Sequence, residues 1–298
     1  MIKNATIYKI PPFAFEGLSH ALSCMTFAPT LPTQEKSVGW VPPRGEEHGA
    51  LVEGISGALV FRLKVETRKV PAATLADELA KACKHIEATT GRKPGKKEKR
   101  DLKEELVLGL LPKAFPAQKV ATCIADGDRL IIDATSASLL DDVLTALVRC
   151  ADGSAAEPLC TNTSPTVAMA TWLTEQEAPA GFAIGKECEL KSVDESQAKV
   201  RYSHHALLTD EVKAHLAQGK QPTRLELEWD DRVSFVLGDN LQLKKLDFSD
   251  DVLNQVTENG LNPADFDGSM AIAIGELRAL IPDLLGALDG VADKKGAA

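Results

Sequence analysis

The chain of 298 residues is 44% hydrophobic and 26% charged, a composition that is typical of a globular protein and excludes disorder over its whole length. That length suffices for two or three units or for one elongated mixed domain, and with only 5% aromatic residues the core must consist mainly of aliphatic side chains. The net charge of −9 argues, taken alone, against a polyanionic partner such as DNA.

The first part of the chain mixes strand and helix patterns. A strand is predicted over 5–10, a short helix over 15–22, and a proline-punctuated loop over 39–43. Residues 50–64 are β-branched and apolar, with two glycines as breaks. That pattern is typical of a β-hairpin.

Two helices joined by a Gly/Pro turn are predicted next. Pro71 opens the first, whose apolar residues recur at helical spacing until Gly91. The second begins near Lys96 and ends at Pro112, with its leucines on one face and its bases mostly elsewhere. Together they predict an αα-hairpin that projects from the body of the protein.

The remainder of the chain continues the mixed pattern. Asp126-Gly127 predicts a tight turn between two strands, and Ser136 predicts the start of a helix that runs to Cys150. A polar, proline-containing linker is predicted over 151–165, and an antiparallel meander over 225–243. Two further helices close the chain.

These elements predict an α+β fold: an elongated mixed chain with antiparallel sheets and a projecting helical hairpin. We expect three units, namely a central α+β region over 1–70 and 118–165, a helical finger or tip over 71–117, and a C-terminal α+β base region over 166–298. No internal repeat of 20–50 residues is visible.

Charge is segregated along the chain. Residues 92–119 hold nine bases and four acids, a local charge of +5, so the rest of the chain carries −14. A solvated helix face explains such a run as well as a binding surface does. If the surface binds DNA, flexible lysines suit contact with backbone phosphates better than recognition of bases. The candidate DNA contacts in this region are Arg92, Lys93, Lys96, Lys97, Lys99, Arg100, Lys103 and Lys113.

Motifs for catalysis or for cofactor binding are absent from the sequence. No P-loop, nucleophile elbow or zinc-binding HExxH helix occurs, and Gly181–Lys186 imitates a P-loop only at the wrong spacing. The adjacent His204 and His205 point to opposite sides of an extended segment, which disfavours a shared metal ion. We therefore predict neither an enzyme nor a cofactor nor a metal site.

The cysteines and the apolar segments predict a cytoplasmic protein without a membrane partner. The six cysteines have no metal-binding spacing, and no signal peptide precedes them, so we expect free thiols that pack as small apolar residues. The most apolar stretch, 270–288, is interrupted by Glu276, Arg278 and Asp283 and predicts a packed helix instead of a membrane span.

Six segments, in the same order and over nearly the whole chain, resemble the RdgC family of recombination-associated proteins. They are Gly39–Pro43, Asp101–Phe115, Leu130–Ala134, Leu225–Trp229, Leu243–Leu246 and Phe266–Leu277.

This resemblance implies a ring-shaped homodimer whose central hole admits duplex DNA without sequence preference. It further implies association with the nucleoid, restraint of RecA-driven strand exchange, and no nucleotide cofactor. One dimer contact of the ring lies between the base regions and the other between the tips, and the resemblance assigns Phe115 to the tip contact. A ring also reconciles DNA binding with the net charge, since bases can line the hole while acids face outward.

The chain departs from the family pattern at a basic-and-amide patch before Leu207. Here it has Arg201, Tyr202, Ser203, His204 and His205, of which we expect Arg201, His204 and His205 to contact DNA. Only the arginine is permanently charged, so we predict weaker binding that tightens as the pH falls toward about 6.

Two alternatives remain at this point. One is a metal-dependent enzyme that processes nucleic acid, which would need clustered acids holding Mg²⁺ beside the basic face. The other is a protein scaffold that makes no contact with DNA.

Overall fold

Twelve strands and eight α-helices form in the part of the chain that the computed structural model describes, which is residues 1–13, 15–151, 155–195, 197–258 and 260–292. The strands are β1 (Asn4–Lys9), β2 (Lys36–Val41), β3 (Val52–Ile55), β4 (Ala58–Thr67), β5 (Ala117–Asp126), β6 (Arg129–Ile132), β7 (Glu157–Pro158), β8 (Phe182–Ser192), β9 (Lys199–Tyr202), β10 (Lys220–Trp229), β11 (Val233–Gly238) and β12 (Leu243–Phe248). The helices are α1 (Phe15–Leu22), α2 (Ala72–Thr90), α3 (Lys96–Leu110), α4 (Ala137–Cys150), α5 (Pro165–Glu175), α6 (Asp210–Ala217), α7 (Asp250–Glu258) and α8 (Phe266–Ala287).

All twelve strands belong to one sheet, in which the paired strands are antiparallel. Its main path runs β2-β4-β5-β6-β1-β12-β11-β10-β8-β9, while β3 pairs with β4 and β7 pairs with β1. Strand β1 joins the two halves, because Thr6 to Lys9 pair with β6 whereas Asn4 and Ala5 pair with β12. The N-terminal strand is therefore the connection between the N-terminal half of the sheet and its C-terminal half.

Helix α8 packs on one face of the sheet and shares a hydrophobic core with both halves. Leu277 and Leu280 of this helix lie in the same buried cluster as Val60 and Ile124 from the N-terminal half and Leu225 from the C-terminal half. Strand residues alternate between the two faces, so the side chains next to these apolar residues point to the opposite face.

The opposite face is covered only in part. In the N-terminal half it packs against α1 and α4, where Phe61 and Leu63 of β4 meet Leu18 and Leu147. In the C-terminal half, α5 and α6 pack on the same face of the sheet as α8 and share its core, so they leave the opposite face uncovered. The other face of β8 to β12 presents mainly charged residues, and we call it the open sheet face.

The charges that interrupt the apolar stretch 270–288 fasten α8 to the sheet. Glu276 accepts a hydrogen bond from Arg232 at 2.6 Å, Arg278 forms a two-point ion pair with Asp126, and Asp283 accepts the indole N–H of Trp229 at 2.9 Å. None of the described helices combines the length and the apolarity needed to cross a membrane.

The predicted helical hairpin is present. Helices α2 and α3 pack on each other, and neither contains a buried residue. Gly91 ends α2 in the left-handed conformation, with φ of 70° and its N–H bonded to the Glu87 carbonyl, so it closes the helix where a side chain would be strained. A short 3₁₀ helix, Leu111–Lys113, follows α3.

The α+β class with antiparallel sheet pairing is confirmed, but one predicted loop is wrong. Gly39 to Val41 belong to β2, and Trp40 is buried against Phe61 with ring centroids 5.5 Å apart. A Cβ atom at Gly39 would lie 2.4 Å from the Cα of Phe27, so the glycine permits close approach of two backbone segments.

The division into three units stays a prediction. Residues 152–154 of the predicted linker and 293–298 of the predicted base region lie outside the described residues.

Candidate nucleic-acid interface

Four lysines form an exposed cluster at the turn end of the helical hairpin. We call Lys96, Lys97, Lys99 and Lys103 the hairpin cluster; among the described residues they make no ion pair. Three of them lie in the first turn of α3, where the positive end of the helix dipole disfavours cations by a few tenths of a kcal/mol each. The Glu98 carboxylate already accepts the Gly95 N–H at 3.4 Å at this helix start, so the four lysines are the groups that suit an anion here.

The other candidate bases of the hairpin are partly neutralised or lie elsewhere. Arg92 forms a two-point ion pair with Glu98 at 2.9 and 3.3 Å, Lys93 lies 3.9 Å from Glu87, and Arg100 lies 3.8 Å from both Asp101 and Glu104. Lys113 lies in the 3₁₀ helix at the opposite end of α3, about 22 Å away for a helix of 15 residues.

A second group of bases lies on the open sheet face. Arg201 of β9, Glu189 of β8 and Arg224 of β10 stand in one cross-strand row. Lys199 reaches the Glu189 carboxylate at 3.5 Å, and Lys244 of β12 is close enough to Arg224 to be affected by its charge. We call Lys199, Arg201, Arg224 and Lys244 the sheet-face cluster.

One buried carboxylate is shared by this cluster. Glu189 is buried and also accepts a hydrogen bond from the Thr223 hydroxyl at 2.9 Å. Burial favours a raised pKa for Glu189, but the Thr223 hydrogen bond and the charges of Arg224 and Lys199 together lower it. Burial, followed by repulsion from Arg224, lowers the pKa of Lys244. Asp239 raises the pKa of Lys244 and Glu187 lies close to Arg201, so the bases are compensated in part by these two acids and by Glu189. The repulsion between Arg224 and Lys244 remains, and an added anion would relieve it.

Three members of the sheet-face cluster were not predicted from the sequence. Arg224 precedes Leu225 and Lys244 follows Leu243, so the alternation of apolar and polar residues indicates that both side chains face away from the core. That signal was available. Their proximity to Lys199 was not, because it depends on the pairing of β8 with β9 and β10.

The two candidate histidines lie in the exposed turn after β9. His204 adopts a positive φ of 54°, and the His205 N–H donates to the Lys186 carbonyl at 3.2 Å. The His205 ring lies 5.4 Å from the Tyr202 ring. The structure brings His204 and Arg201 together around Glu187, whose pKa is lowered mainly by its hydrogen bond from Lys245.

The P-loop imitation at Gly181–Lys186 is the start of β8 together with the glycine that precedes it. The Glu226 carboxylate accepts the backbone N–H groups of Lys186 and Glu187 at 2.6 and 2.9 Å, so these amides are already occupied by an acid. A Cβ atom on Gly185 would lie 2.5 Å from the Glu226 side chain, which explains the glycine without a phosphate ligand.

Phe115 is displayed on the surface by a rigid support. Its side chain is 94% exposed, although it follows the buried Leu111 by only four residues. Arg68 donates from Nη1 to the Ala114 carbonyl at 3.0 Å and from Nε to the Thr30 hydroxyl at 2.9 Å. A large apolar side chain held in solvent in this way is typical of an anchor for another protein surface.

Glu66 completes that support from the interior. It is 3% exposed, and it accepts hydrogen bonds from the N–H and the hydroxyl of Thr30 and from the side-chain amide of Gln118. The Thr30 hydroxyl, then its N–H, then Gln118 lower the pKa of Glu66 to about 2. The carboxylate therefore stays ionised and fixes Gln118, three residues after Phe115, and Thr30, whose hydroxyl also accepts from Arg68.

We expect Glu66→Ala to reduce the free energy of unfolding by about 2–4 kcal/mol at neutral pH, because it leaves buried donors without an acceptor. The pKa is lower in the folded protein than the ordinary 4.5, so the stabilisation is complete above about pH 4.5 and is lost as the pH falls toward 2. Urea unfolding of wild type and variant at about pH 7 and 3 measures this. An equal difference at both pH values would contradict the role of the charge, and Glu66→Gln, which keeps one acceptor, is the control.

Known proteins are similar to this chain over nearly its whole length. The family model described as "Putative exonuclease, RdgC" matches residues 1–291. Three proteins named Recombination-associated protein RdgC are similar to this chain: 37% identical in Dechloromonas aromatica (97% of each chain covered), 35% in Tolumonas auensis (97% of this chain and 98% of the relative), and 34% in a Janthinobacterium species (98% and 99%). The chain belongs to the RdgC family.

Most segments that carried the RdgC resemblance form strands of the sheet. Gly39–Pro43 includes the end of β2, Leu130–Ala134 contains most of β6, and Leu225–Trp229 is the end of β10. Only the run through α3 to Phe115 ends on an exposed apolar residue. Among the described residues of this RdgC chain, no three His, Cys, Asp or Glu side chains lie together in a way that could hold a metal ion.

Proposed function

We propose that this RdgC chain binds duplex DNA without recognising its sequence, as a homodimer that encircles the duplex and restrains RecA-dependent recombination. The observation that carries the proposal is the sheet-face cluster, in which four bases lie around the buried Glu189 carboxylate, and burial, followed by the charge of Arg224, lowers the pKa of Lys244. Such a concentration of bases on a chain of net charge −9 supports a polyanionic partner at this place.

The chemistry of both clusters supports phosphate contact without base recognition. The two clusters together contain eight residues. Five of them, namely the whole hairpin cluster and Lys244, are lysines that form no ion pair among the described residues. Lysine acts as a mobile point charge, whereas recognition of guanine typically uses the planar fork of arginine inserted into a groove. We therefore expect affinity that depends on salt and not on base sequence.

Phe115 supports the proposed homodimer, and the names of the relatives support the proposed role in recombination. Phe115 is an exposed anchor without a partner surface in the chain that carries it. Relatives at 34–37% identity are named recombination-associated proteins, which supports a role of the proposed DNA binding in recombination control. A protein that occupies the duplex in this way would be cytoplasmic and associated with the nucleoid.

The test is retention on DNA of different topology at low salt. We expect the protein to bind a closed circular duplex and a linear duplex of the same sequence, and to dissociate faster from the linear form, whose ends release a ring. Equal dissociation would contradict encirclement, and failure to retard either duplex would favour a scaffold that makes no contact with DNA.

The same samples test the enzyme alternative that the family description raises. Incubation of linear duplex with Mg²⁺ and the protein should leave the DNA intact. Progressive loss of nucleotides from the ends would show an exonuclease and overturn the non-enzymatic proposal.

A further inference from the structure

Two cysteines that are far apart in sequence lie side by side in the fold. The Sγ atoms of Cys24 and Cys150 are 3.2 Å apart, although 126 positions separate the residues. Both are free thiols, with Cys24 exposed and Cys150 half-buried. The expectation that the cysteines serve as buried apolar residues holds for Cys123 and Cys188 and is wrong for Cys24 and for Cys160, which are exposed.

The elements on either side hold the two sulfur atoms in place. Cys24 lies in the 3₁₀ helix Ser23–Met25 that follows α1, and Cys150 is the last residue of α4. Helices α1 and α4 pack over the same core, where Leu22 and Leu147 are fully buried. A disulfide bond of about 2.05 Å therefore needs the sulfurs to approach by only roughly 1 Å.

We propose that Cys24 and Cys150 form a redox modification site, at which a hydroperoxide converts the two thiols into a reversible intramolecular disulfide. The exposed Cys24 thiolate attacks the peroxide oxygen, which gives a sulfenic acid and, after protonation of the leaving oxygen, water or an alcohol. The Cys150 thiol then attacks the Cys24 sulfur, and the sulfenic hydroxyl leaves as water with the Cys150 proton. Two thiols are oxidised by two electrons and one peroxide is reduced.

The surroundings of the pair assign the two roles. Burial, followed by the hydrogen bond from Cys24, raises the pKa of Cys150 to about 11, so this thiol is protonated at neutral pH. Solvent reaches Cys24 more freely, so Cys24 meets the oxidant and Cys150 resolves the intermediate. The lone exposed Cys160 has no such neighbour among the described cysteines and serves as an internal comparison.

The cross-link would close a large loop of the chain. Residues 24–150 contain strands β2 to β6, the whole helical hairpin and Phe115. Because loop closure restricts the unfolded chain more as the loop grows, the oxidised protein should be the more stable form.

The test is to count free thiols by maleimide mass tagging after brief treatment with hydrogen peroxide. Six cysteines should fall to four in wild type, and a reductant should restore six. Peptide mapping should find Cys24 joined to Cys150, and the Tm should rise by about 5 °C or more.

Single variants keep the result interpretable. Cys24→Ser and Cys150→Ser should show no mapped cross-link and no gain in Tm, whereas Cys160→Ser should behave as wild type. Six free thiols after treatment, a disulfide between two chains, or irreversible oxidation of Cys24 alone would each overturn the proposal.

Discussion

Phe115→Ala should open the tip contact and leave the contact between the base regions, which weakens self-association by about 30- to 700-fold and corresponds to the 2–4 kcal/mol that an aromatic anchor at the centre of an interface contributes. The reason is its 94% exposure on a support that is fixed by Arg68, Leu111 and Glu66. Sedimentation velocity over a range of protein concentrations measures the change as a shift from dimer toward monomer.

The matched control is Val193→Ala, which removes another exposed apolar side chain, 69% exposed, from a distant loop. It should leave association unchanged. A Phe115→Ala variant that keeps the wild-type dimerisation constant would remove Phe115 from the interface, and a Phe115→Leu variant that restores association would show that apolar contact is what matters. A change in thermal stability without a change in association would instead mean that Phe115 supports only its own chain.

The second large effect is expected from Arg224→Ala combined with Lys244→Ala. Removing two phosphate contacts should lower the affinity for duplex DNA by on the order of tenfold or more and reduce the slope of log K against log salt by about 2. Fluorescence anisotropy with two duplexes of unrelated sequence, titrated between about 50 and 200 mM salt, measures both quantities. The loss should be equal for the two sequences.

Lys9→Ala combined with Arg149→Ala is the control, since both residues are exposed and lie outside the two clusters. It should leave the salt slope unchanged. Replacing Lys96, Lys97, Lys99 and Lys103 by alanine separates the hairpin cluster from the sheet-face cluster. If the salt slope falls only in that variant and not in the Arg224/Lys244 variant, DNA binds the hairpin and the sheet-face assignment is wrong.

Local signals allowed much of the fold to be predicted. The Gly/Pro turn between α2 and α3, the Asp126-Gly127 turn and the alternation in β10 to β12 each depend on residues that are close in sequence. Gly39 to Val41 were missed because the following prolines favour a loop, whereas pairing with β4 places them in a strand. Helix α5 was missed because it follows a polar linker and its apolar residues are not confined to one face.

The candidate site could be predicted only where its residues are close together in sequence. The lysines of α3 are neighbours in sequence, and their charge is visible there. Lys199, Arg224 and Lys244 come from three strands, so strand order and register bring them together. Phe115 was singled out by resemblance, but its exposure depends on Arg68, which donates to the Ala114 carbonyl, and on Glu66, which accepts from Thr30. Arg68 and Glu66 are both far from Phe115 in sequence.

The position of β1 constrains how the protein matures on the ribosome. Asn4 is synthesised 240 residues before its partner Lys244. At about 5–20 residues per second, β1 waits on the order of 10–50 s for β12. Until then one edge of the strand is open to pairing with other nascent chains. Slow translation before β12 would lengthen the time for which this edge stays unpaired.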